Sequence, residues 1–297
     1  MTTPVLYDNP GPRMQRRVRI GSIVAGVVLL GVVALVLVRL GQAGQLSGEK
    51  WGPIVNPYHP QIAALWTGLS GALLNNFIAA VLAMALSLVV GTVLAVTRLT
   101  SAPWYRWIVV GAIELFRGLP VVIAIYLAYR ILPELGVDVS LLWYLVIGLT
   151  AYNSVIIAEI VRSGVLSLPR GQAEAAAAIG LTRVQSLRLI QLPQAFRVML
   201  PALISQLVVI LKDTSLGFII LYPESVRFVR IAIQELDNPI QLFFVLAVIF
   251  IVINYLLGRF AEWVERRLSR ARTGATPAGG AGEPETRALA GTSATGG

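Results

Sequence analysis

The chain has 297 residues, of which 56% are hydrophobic and 13% are charged, and its mean hydropathy is +0.76. Soluble domains carry about 25% charged residues, so this composition is typical of a polytopic membrane protein instead. The absence of cysteine excludes disulfides, Cys-ligated zinc and thiol catalysis. We attribute the net charge of +9 to arginines in cytoplasmic loops, which set the topology of membrane proteins, rather than to nucleic-acid binding.

The N-terminal part is predicted to form a cytoplasmic tail at 1–19, followed at 20–66 by a first span and an external loop. Residues 20–38 are uncharged and mostly apolar, and at about 1.5 Å per residue they nearly match a hydrocarbon core of about 30 Å. A signal peptide would have a shorter apolar core of about 7–15 residues, so we expect an uncleaved span. Residues 41–61 are rich in glycine and proline and are predicted to be the loop, in which His59 is an ordinary residue.

A transmembrane domain is predicted at 67–262. Its apolar regions lie at residues 69–96, 107–132, 141–160, 198–222 and 240–258. The second of these is interrupted between Glu114 and Pro120 by two charges, a glycine and a proline, which would break a lipid-facing helix. We therefore expect this span to begin near Leu119, with the preceding segment at the cytoplasmic interface.

Arginines are concentrated near the N-terminus, in the turn at 98–106, in the central segment at 162–197 and after the last apolar region. Because positive charge marks cytoplasmic loops, six spans with both termini inside are the simplest topology. The segments at 133–140 and 222–239 are then external, and the longer one has room for a short helix. Residues 263–297 are predicted to be a basic and then disordered cytoplasmic tail, since their Gly, Ala, Thr and Pro content cannot build a packed core.

The stretch at 174–193 is polar and helix-prone, although the other long segments are mostly apolar. Strong helix formers precede Gly180, which can end a helix in the left-handed conformation. Thr182 can cap a second short helix with its hydroxyl, and Pro193 is predicted to stop that helix. The pattern predicts a helix–turn–helix outside the bilayer that binds a partner.

Motifs for nucleotide chemistry and hydrolysis are missing. There is no GxxxxGK[ST] phosphate loop, and the only lysines are Lys50 and Lys212. Neither GxSxG nor HExxH occurs. We therefore expect no enzymatic activity, no catalytic residue, no metal and no cofactor, so that any ATP is hydrolysed by a partner chain.

The central stretch is similar to the EAA loop of bacterial ABC importer permeases, which reads Glu-Ala-Ala, three residues, Gly, nine residues, Ile-x-Leu-Pro. The matching residues are Glu174, Ala175, Ala176, Gly180, Ile190, Leu192 and Pro193. Residues 114–120, 151–162 and 211–216 further resemble the polar amino acid permease family, the histidine/glutamate/glutamine/arginine/opine group. Together the agreement extends over residues 69–260.

This resemblance implies an all-α, polytopic transmembrane helical bundle of about six spans, with the type I ABC importer permease fold and a cytoplasmic coupling helix. The matched residues of the EAA loop would dock on an ABC ATPase subunit, where Glu174 could pair with a basic residue. The implied partners are two ATPase subunits, a second permease subunit and an extracytoplasmic amino-acid-binding protein, in a bacterial cell membrane. A heterodimer of permeases is favoured over a homodimer.

The long N-terminal region and the Ala/Val/Arg-rich composition resemble the permeases of actinobacterial glutamate-type systems. The first substrate prediction is therefore glutamate, or glutamate with glutamine, and basic amino acids stay open. A stand-alone secondary carrier or channel is the alternative, which the lack of a visible internal repeat weakens. A scaffold or sensor without transport is a third possibility.

Charged and polar residues at membrane depth are the candidates for the substrate path, because each is costly there unless it is paired or wet. These candidates are Glu114, Arg117, Glu159, Lys212, Asp213, Thr214 and Ser215. Two other readings stay open. Glu114 with Arg117, and Glu159 with Arg162, have the spacing of ion pairs on one helix face. The polar break at 212–215 suits either a path wall or a helix irregularity at a subunit contact.

Overall fold

The computed structural model describes residues 11–100 and 103–273, with side chains at 11–100 and 107–267. Throughout these residues the regular secondary structure is helical, which confirms the all-α prediction. The helices are α1 (Pro12–Gln42), α2 (Gly48–Val55), α3 (Ile62–Thr100), α4 (Pro103–Gly118), α5 (Val121–Glu134), α6 (Leu141–Leu166), α7 (Arg170–Ala178), α8 (Arg183–Ser186), α9 (Leu192–Asp213), α10 (Ser225–Leu236) and α11 (Pro239–Thr273). A π-helical turn (Leu187–Gln191) joins α8 to α9, and a 3₁₀ segment (Thr214–Ile220) follows α9.

Five stretches of the described chain are long and apolar enough to cross a membrane: α1, α3, α6, the helical run Arg183–Ile220 and α11. A sixth span is possible if α4 and α5 count as one, although they are bent by 102° relative to each other. The bend lies at Leu119 and Pro120, where the sequence predicts the break. Proline lacks the N–H that would continue α4, and it disfavours helical geometry in the residue before it.

Small residues let α3, α5 and α6 approach closely at the centre of the bundle. A Cβ on Gly91 of α3 would lie 2.7 Å from the carbonyl oxygen of Ser154 on α6. A Cβ on Gly148 of α6 would lie 2.5 Å from the Cα of Ile125 on α5. Close packing of this kind is what holds helices together in lipid, where no hydrophobic effect drives their association.

The N-terminal region is attached to the bundle through α2, since α1 has no buried residue. Lys50 on α2 forms an ion pair of 3.0 Å with Asp237, which follows α10. The amide of Asn238 donates to the carbonyl oxygen of Lys50 at 2.8 Å, and that of Gln241 on α11 donates to the carbonyl of Gln45 at 2.6 Å. The segment predicted as an external loop at 41–61 thus contains a helix that the sequence did not indicate.

A helix forms within 41–61 because its polar side is bonded to the α10–α11 corner while Pro53 and Ile54 are buried. The short helix expected within 222–239 is confirmed as α10. The predicted tail at 263–297 begins inside α11, and residues 274–297, like residues 1–10 of the N-terminal tail, lie outside the described part.

Candidate functional site

The EAA segment (residues 170–193) begins with two short helices joined by a tight turn. Gly180 has a φ of 82°, so it ends the first helix in the left-handed conformation as predicted. Thr182 caps α8: its hydroxyl accepts from the backbone N–H of Gln185 at 3.3 Å, and the Gln185 side chain accepts from the Thr182 N–H at 2.9 Å. This reciprocal capping box also confirms the prediction for Thr182.

The prediction that Pro193 stops the second helix is wrong. The chain passes from α8 through the π-helical turn directly into α9, and Pro193 lies in the first turn of α9. A proline is tolerated in the first turn of an α-helix, and the π turn before α9 bonds the Leu192 N–H to the Leu187 carbonyl, five residues back. The EAA segment is therefore continuous with a membrane span, with no flexible linker between them.

The seven EAA residues divide into two sets by exposure. Ala176 is 1% exposed and Leu192 is also buried, so these two pack α7 and α9 against the rest of the protein. Ile190 is half-buried. The remaining four are exposed, namely Glu174, Ala175, Gly180 and Pro193. Two large apolar side chains of the same segment, Ile179 and Leu189, are 75% and 68% exposed. The outer surface of the segment thus combines an exposed carboxylate with uncovered apolar groups.

Glu159 on α6 forms a charged cluster with two arginines. It accepts from Nε of Arg162 at 3.0 and 3.1 Å, which confirms the predicted pair, and from Arg98 at the end of α3 at 2.8 Å. Arg98 was not a candidate in the sequence. The cluster joins α3 to α6 as well as stabilising one helix face.

The other predicted ion pair, Glu114 with Arg117, is not formed among the residues that the structure describes. Both side chains are exposed on α4. Arg117 instead lines a cavity of about 230 Å³ together with Glu159 and Ser163 of α6. Arg117 thus lies at the same cavity as the carboxylate of Glu159.

The polar break at 212–215 is a helix irregularity, because α9 ends at Asp213 and a 3₁₀ segment follows. Lys212 is exposed, while Asp213 and Ser215 are half-buried. Lys212 ends an exposed stripe on α9 with helical spacing of three and four residues. The other members of this α9 stripe are Val198, Ala202, Ser205 and Val209.

Thr214 is fully buried in this conformation, whereas Lys212 is exposed. Its hydroxyl donates to the carbonyl oxygen of Leu211 at 2.6 Å and accepts from the side-chain amide of Asn76 on α3 at 2.9 Å. Both of its hydrogen-bonding directions are thus used within the protein.

Sequence reasoning also missed a buried polar cluster beside this break. Asn76 and Glu224 are 1% and 0% exposed, and the Glu224 carboxylate accepts from the N–H groups of Val226 and Arg227 at 2.8 Å each. Burial raises the pKa of Glu224, against the opposing effect of these N–H groups. Two adjacent asparagines in an otherwise apolar run were the feature that could have revealed the cluster, since amides at membrane depth need partners.

The family and the relatives of the chain follow from comparisons with known proteins. The model of the family described as "binding-protein-dependent transport system inner membrane component" matches residues 87–270. The chain is 41% identical to the glutamate transport system permease protein GluD of Corynebacterium glutamicum over 77% of this chain and 83% of that protein. It is 33% identical to the probable glutamine ABC transporter permease protein GlnP of Bacillus subtilis over 69% and 94%.

Solved structures show the same fold. An amino acid ABC transporter with histidines superposes with a TM-score of 0.63 at 24% identity, covering 69% of this chain and 96% of that one. The MetNI methionine ABC transporter gives a TM-score of 0.57 at 22% identity, covering 71% and 98%. The chain therefore belongs to the family of binding-protein-dependent transport system inner membrane components and is a permease subunit of an ABC amino acid importer, with glutamate-type and glutamine-type permeases among its relatives.

Proposed function

We propose that this permease forms half of a translocation path for a polar amino acid, with glutamate as the first substrate, and that it is driven through the EAA segment by a separate ATPase. The observation that carries the proposal is the unbroken helical connection from the EAA segment into α9. The relative GluD, by its name a glutamate transport permease, supports the choice of substrate.

The EAA segment is suited to receive force from a partner. Ala176 and Leu192 pack it on the bundle, while Glu174, Ile179 and Leu189 are exposed. An ATPase groove that covers the two apolar groups and supplies a cation to Glu174 would bury the surface that the permease leaves open. Because the π turn continues into α9, a displacement of α7 and α8 is passed to the span.

The α9 stripe is the proposed path wall on this subunit. An exposed lysine facing lipid would cost about 2.5–3.5 kcal/mol on insertion scales, so Lys212 belongs at a water-filled path or against the second permease. Its charge would attract the carboxylates of an acidic amino acid, next to the half-buried Asp213 and Ser215. Glu114, Arg117 and Glu159 would lie further along the path, toward the EAA segment.

The proposed assembly has two permease subunits, as a heterodimer or a homodimer, two ATPase subunits and an extracytoplasmic binding protein, in the bacterial cell membrane. The binding protein would dock on the side of α2 and α10, opposite the EAA segment. Both termini would lie in the cytoplasm, as the arginine distribution favours. Nucleic acid has no part in this assembly, and the permease itself catalyses no reaction.

Uptake by a strain that lacks this gene, with and without the complementing gene, tests the proposal. We expect complementation to restore uptake of radiolabelled L-glutamate, with competition by unlabelled glutamate and glutamine but not by arginine. Depletion of ATP at a maintained membrane potential should abolish uptake. Uptake that survives this depletion would contradict the importer and favour a secondary carrier, and competition by arginine alone would contradict the substrate.

The role of the EAA segment is tested by Glu174→Lys, which places a cation where the proposed ATPase contact needs an anion. We expect uptake to be lost although the permease still reaches the membrane. Glu134→Lys, at an exposed glutamate on the opposite side, is the matched control and should retain uptake. If Glu174→Lys transports normally, the docking role is wrong.

A further inference from the structure

Two adjacent asparagines of α3 hold the segment between α9 and α10. The side-chain amide of Asn75 donates to the backbone carbonyl oxygen of Pro223 at 2.7 Å. The backbone carbonyl oxygen of Asn75 accepts from the hydroxyl of Tyr222 at 3.2 Å. Asn76 bonds to both ends of the segment: to Thr214 at 2.9 Å and to the N–H of Ser225 at 3.0 Å. Asn76 is the only one of the pair that is fully buried.

The orientation of the Asn76 amide is fixed by its partners. The backbone N–H of Ser225 can only donate, so the side-chain oxygen of Asn76 must face it. The side-chain nitrogen of Asn76 then faces Thr214 and donates a hydrogen bond to its hydroxyl oxygen. The Thr214 hydroxyl in turn donates a hydrogen bond to the carbonyl oxygen of Leu211. These three bonds form a directed chain from the first residue of α10 to the last turn of α9.

The chain of bonds ends one residue before Lys212 and begins at the N-terminus of α10. Asn76 contributes to the cap of α10. The Glu224 carboxylate accepts from the N–H groups of Val226 and Arg227, and the N–H of Ser225 donates to the side-chain oxygen of Asn76. Hydrogen bonds arranged in series polarise one another and are strong in a buried site. The three bonds therefore connect the N-terminus of α10, through Asn76, to Leu211 beside Lys212.

We propose that Asn76 is a positioning residue that couples α10, on the side where the binding protein docks, to the polar break beside Lys212. The inference rests on the proposed function, because it assumes that the binding protein contacts the α10 side and that Lys212 faces the path. In this role Asn76 touches neither the substrate nor a partner. It sets the position of Lys212 according to the position of α10.

The test uses the complete transporter, with its ATPase and binding protein, in proteoliposomes. The quantity measured is the ratio of ATP hydrolysis with glutamate-loaded binding protein to basal hydrolysis. Asn76→Leu removes the hydrogen bonds of the Asn76 side chain to Thr214 and to Ser225, and leucine has a volume similar to that of asparagine. Because coupling residues typically change the coupling by about 0.5–2 kcal/mol, we expect the ratio to fall by about two- to thirtyfold, while basal hydrolysis and the yield of assembled complex stay at wild-type levels.

Asn254→Leu is the matched control. Asn254 is also an amide in an apolar helix, but its side-chain nitrogen donates within the same helix, to the Phe250 carbonyl at 2.7 Å. Its replacement should leave the ratio unchanged. Thr214→Val removes the bond that Asn76 donates to Thr214 and the bond that Thr214 donates to Leu211. It should therefore lower the ratio as Asn76→Leu does. The double variant should lower the ratio no further than either single variant. Thr214→Val also carries the test if Asn76→Leu fails to assemble.

An unchanged ratio in Asn76→Leu or in Thr214→Val overturns the inference. A parallel fall of basal and stimulated hydrolysis also overturns it, because that outcome shows a purely structural role. Failure of the proposed function is distinguishable from both: in that case the wild-type transporter itself shows no stimulation by glutamate-loaded binding protein.

Discussion

Glu224 is a buried carboxylate whose task in this structure is to cap α10. Its two oxygens accept from two N–H groups of the first turn, at 2.8 Å each, and the residue is 0% exposed. Glu224→Ala leaves both groups without a partner, and we expect it to cost about 1–2 kcal/mol of stability. Glu224→Gln keeps one acceptor and should cost less. Thermal unfolding in detergent measures both, and equal melting temperatures for Ala and wild type would contradict the capping role.

The same residue predicts a pH dependence. Burial raises the pKa of Glu224 above its ordinary value of 4.5, so the folded state favours the protonated form more than the unfolded state does. Its contribution to stability is then complete below 4.5 and is lost as pH rises through the folded pKa. In Glu224→Gln this group does not titrate. We expect the melting temperature of wild type, relative to Glu224→Gln, to decline as pH rises over this window, and a constant or rising difference would show that the assigned direction is wrong.

Local spacing was enough to predict some contacts of single residues but not others. The pair Glu159 and Arg162 follows from helix periodicity alone. The bond from Arg98 to Glu159 joins residues 61 positions apart, and those from Asn76 reach 138 and 149 positions along the chain. Such pairs depend on how α3 packs against its neighbours, which no local pattern contains. For the same reason the sequence could not place Thr214 in the interior.

At the scale of helices, the crossing of α5 and α6 depends on the absence of a side chain at Gly148. A methyl group there would lie 2.5 Å from the Ile125 Cα, which is backbone and cannot rotate away. We expect Gly148→Ala to cost about 1–3 kcal/mol, the typical range for overpacking. Gly71→Ala on α3 is the matched control, since a Cβ there meets nothing within 4 Å.

Gly71→Ala should be neutral or stabilising by up to about 1 kcal/mol, because alanine is the better helix former. Thermal unfolding of the two purified variants gives both values. Equal melting temperatures for Gly148→Ala and Gly71→Ala would contradict the close crossing of α5 and α6.

Helix ends were predictable where a single residue type decides them. Gly180 ends α7 and Pro120 separates α4 from α5, each by its own backbone geometry, and Thr182 caps α8 with its side-chain hydroxyl. Pro193 and α2 were not predictable. The effect of a proline depends on whether it falls in a first turn. The bonds that hold α2 join Lys50 to Asp237 and Asn238, which lie between α10 and α11 and are far away in the sequence.

For the whole molecule, the ion pair of Lys50 with Asp237 restricts the topology. It puts α2 and the end of α10 on one side of the membrane. The run Arg183–Ile220 has the length and apolar composition of one span, so we expect α7 to lie on the other side. The chain from α2 to α7 must then cross an odd number of times, and α3 and α6 supply two crossings. We therefore expect the bent pair of α4 and α5 to supply the third crossing, despite its bend of 102°.

This topology can be tested directly because the natural chain has no cysteine. Gln234→Cys on α10 and Gly171→Cys on α7 each introduce one thiol at an exposed position, and a Cβ at Gly171 meets nothing within 4 Å. We expect a membrane-impermeant maleimide to label Gln234→Cys in intact cells, and Gly171→Cys only after permeabilisation. Labelling of both in intact cells would mean that the α4–α5 pair re-enters on the side from which it started. Labelling of Gly171→Cys alone would keep the six crossings but reverse the orientation that the arginines predict.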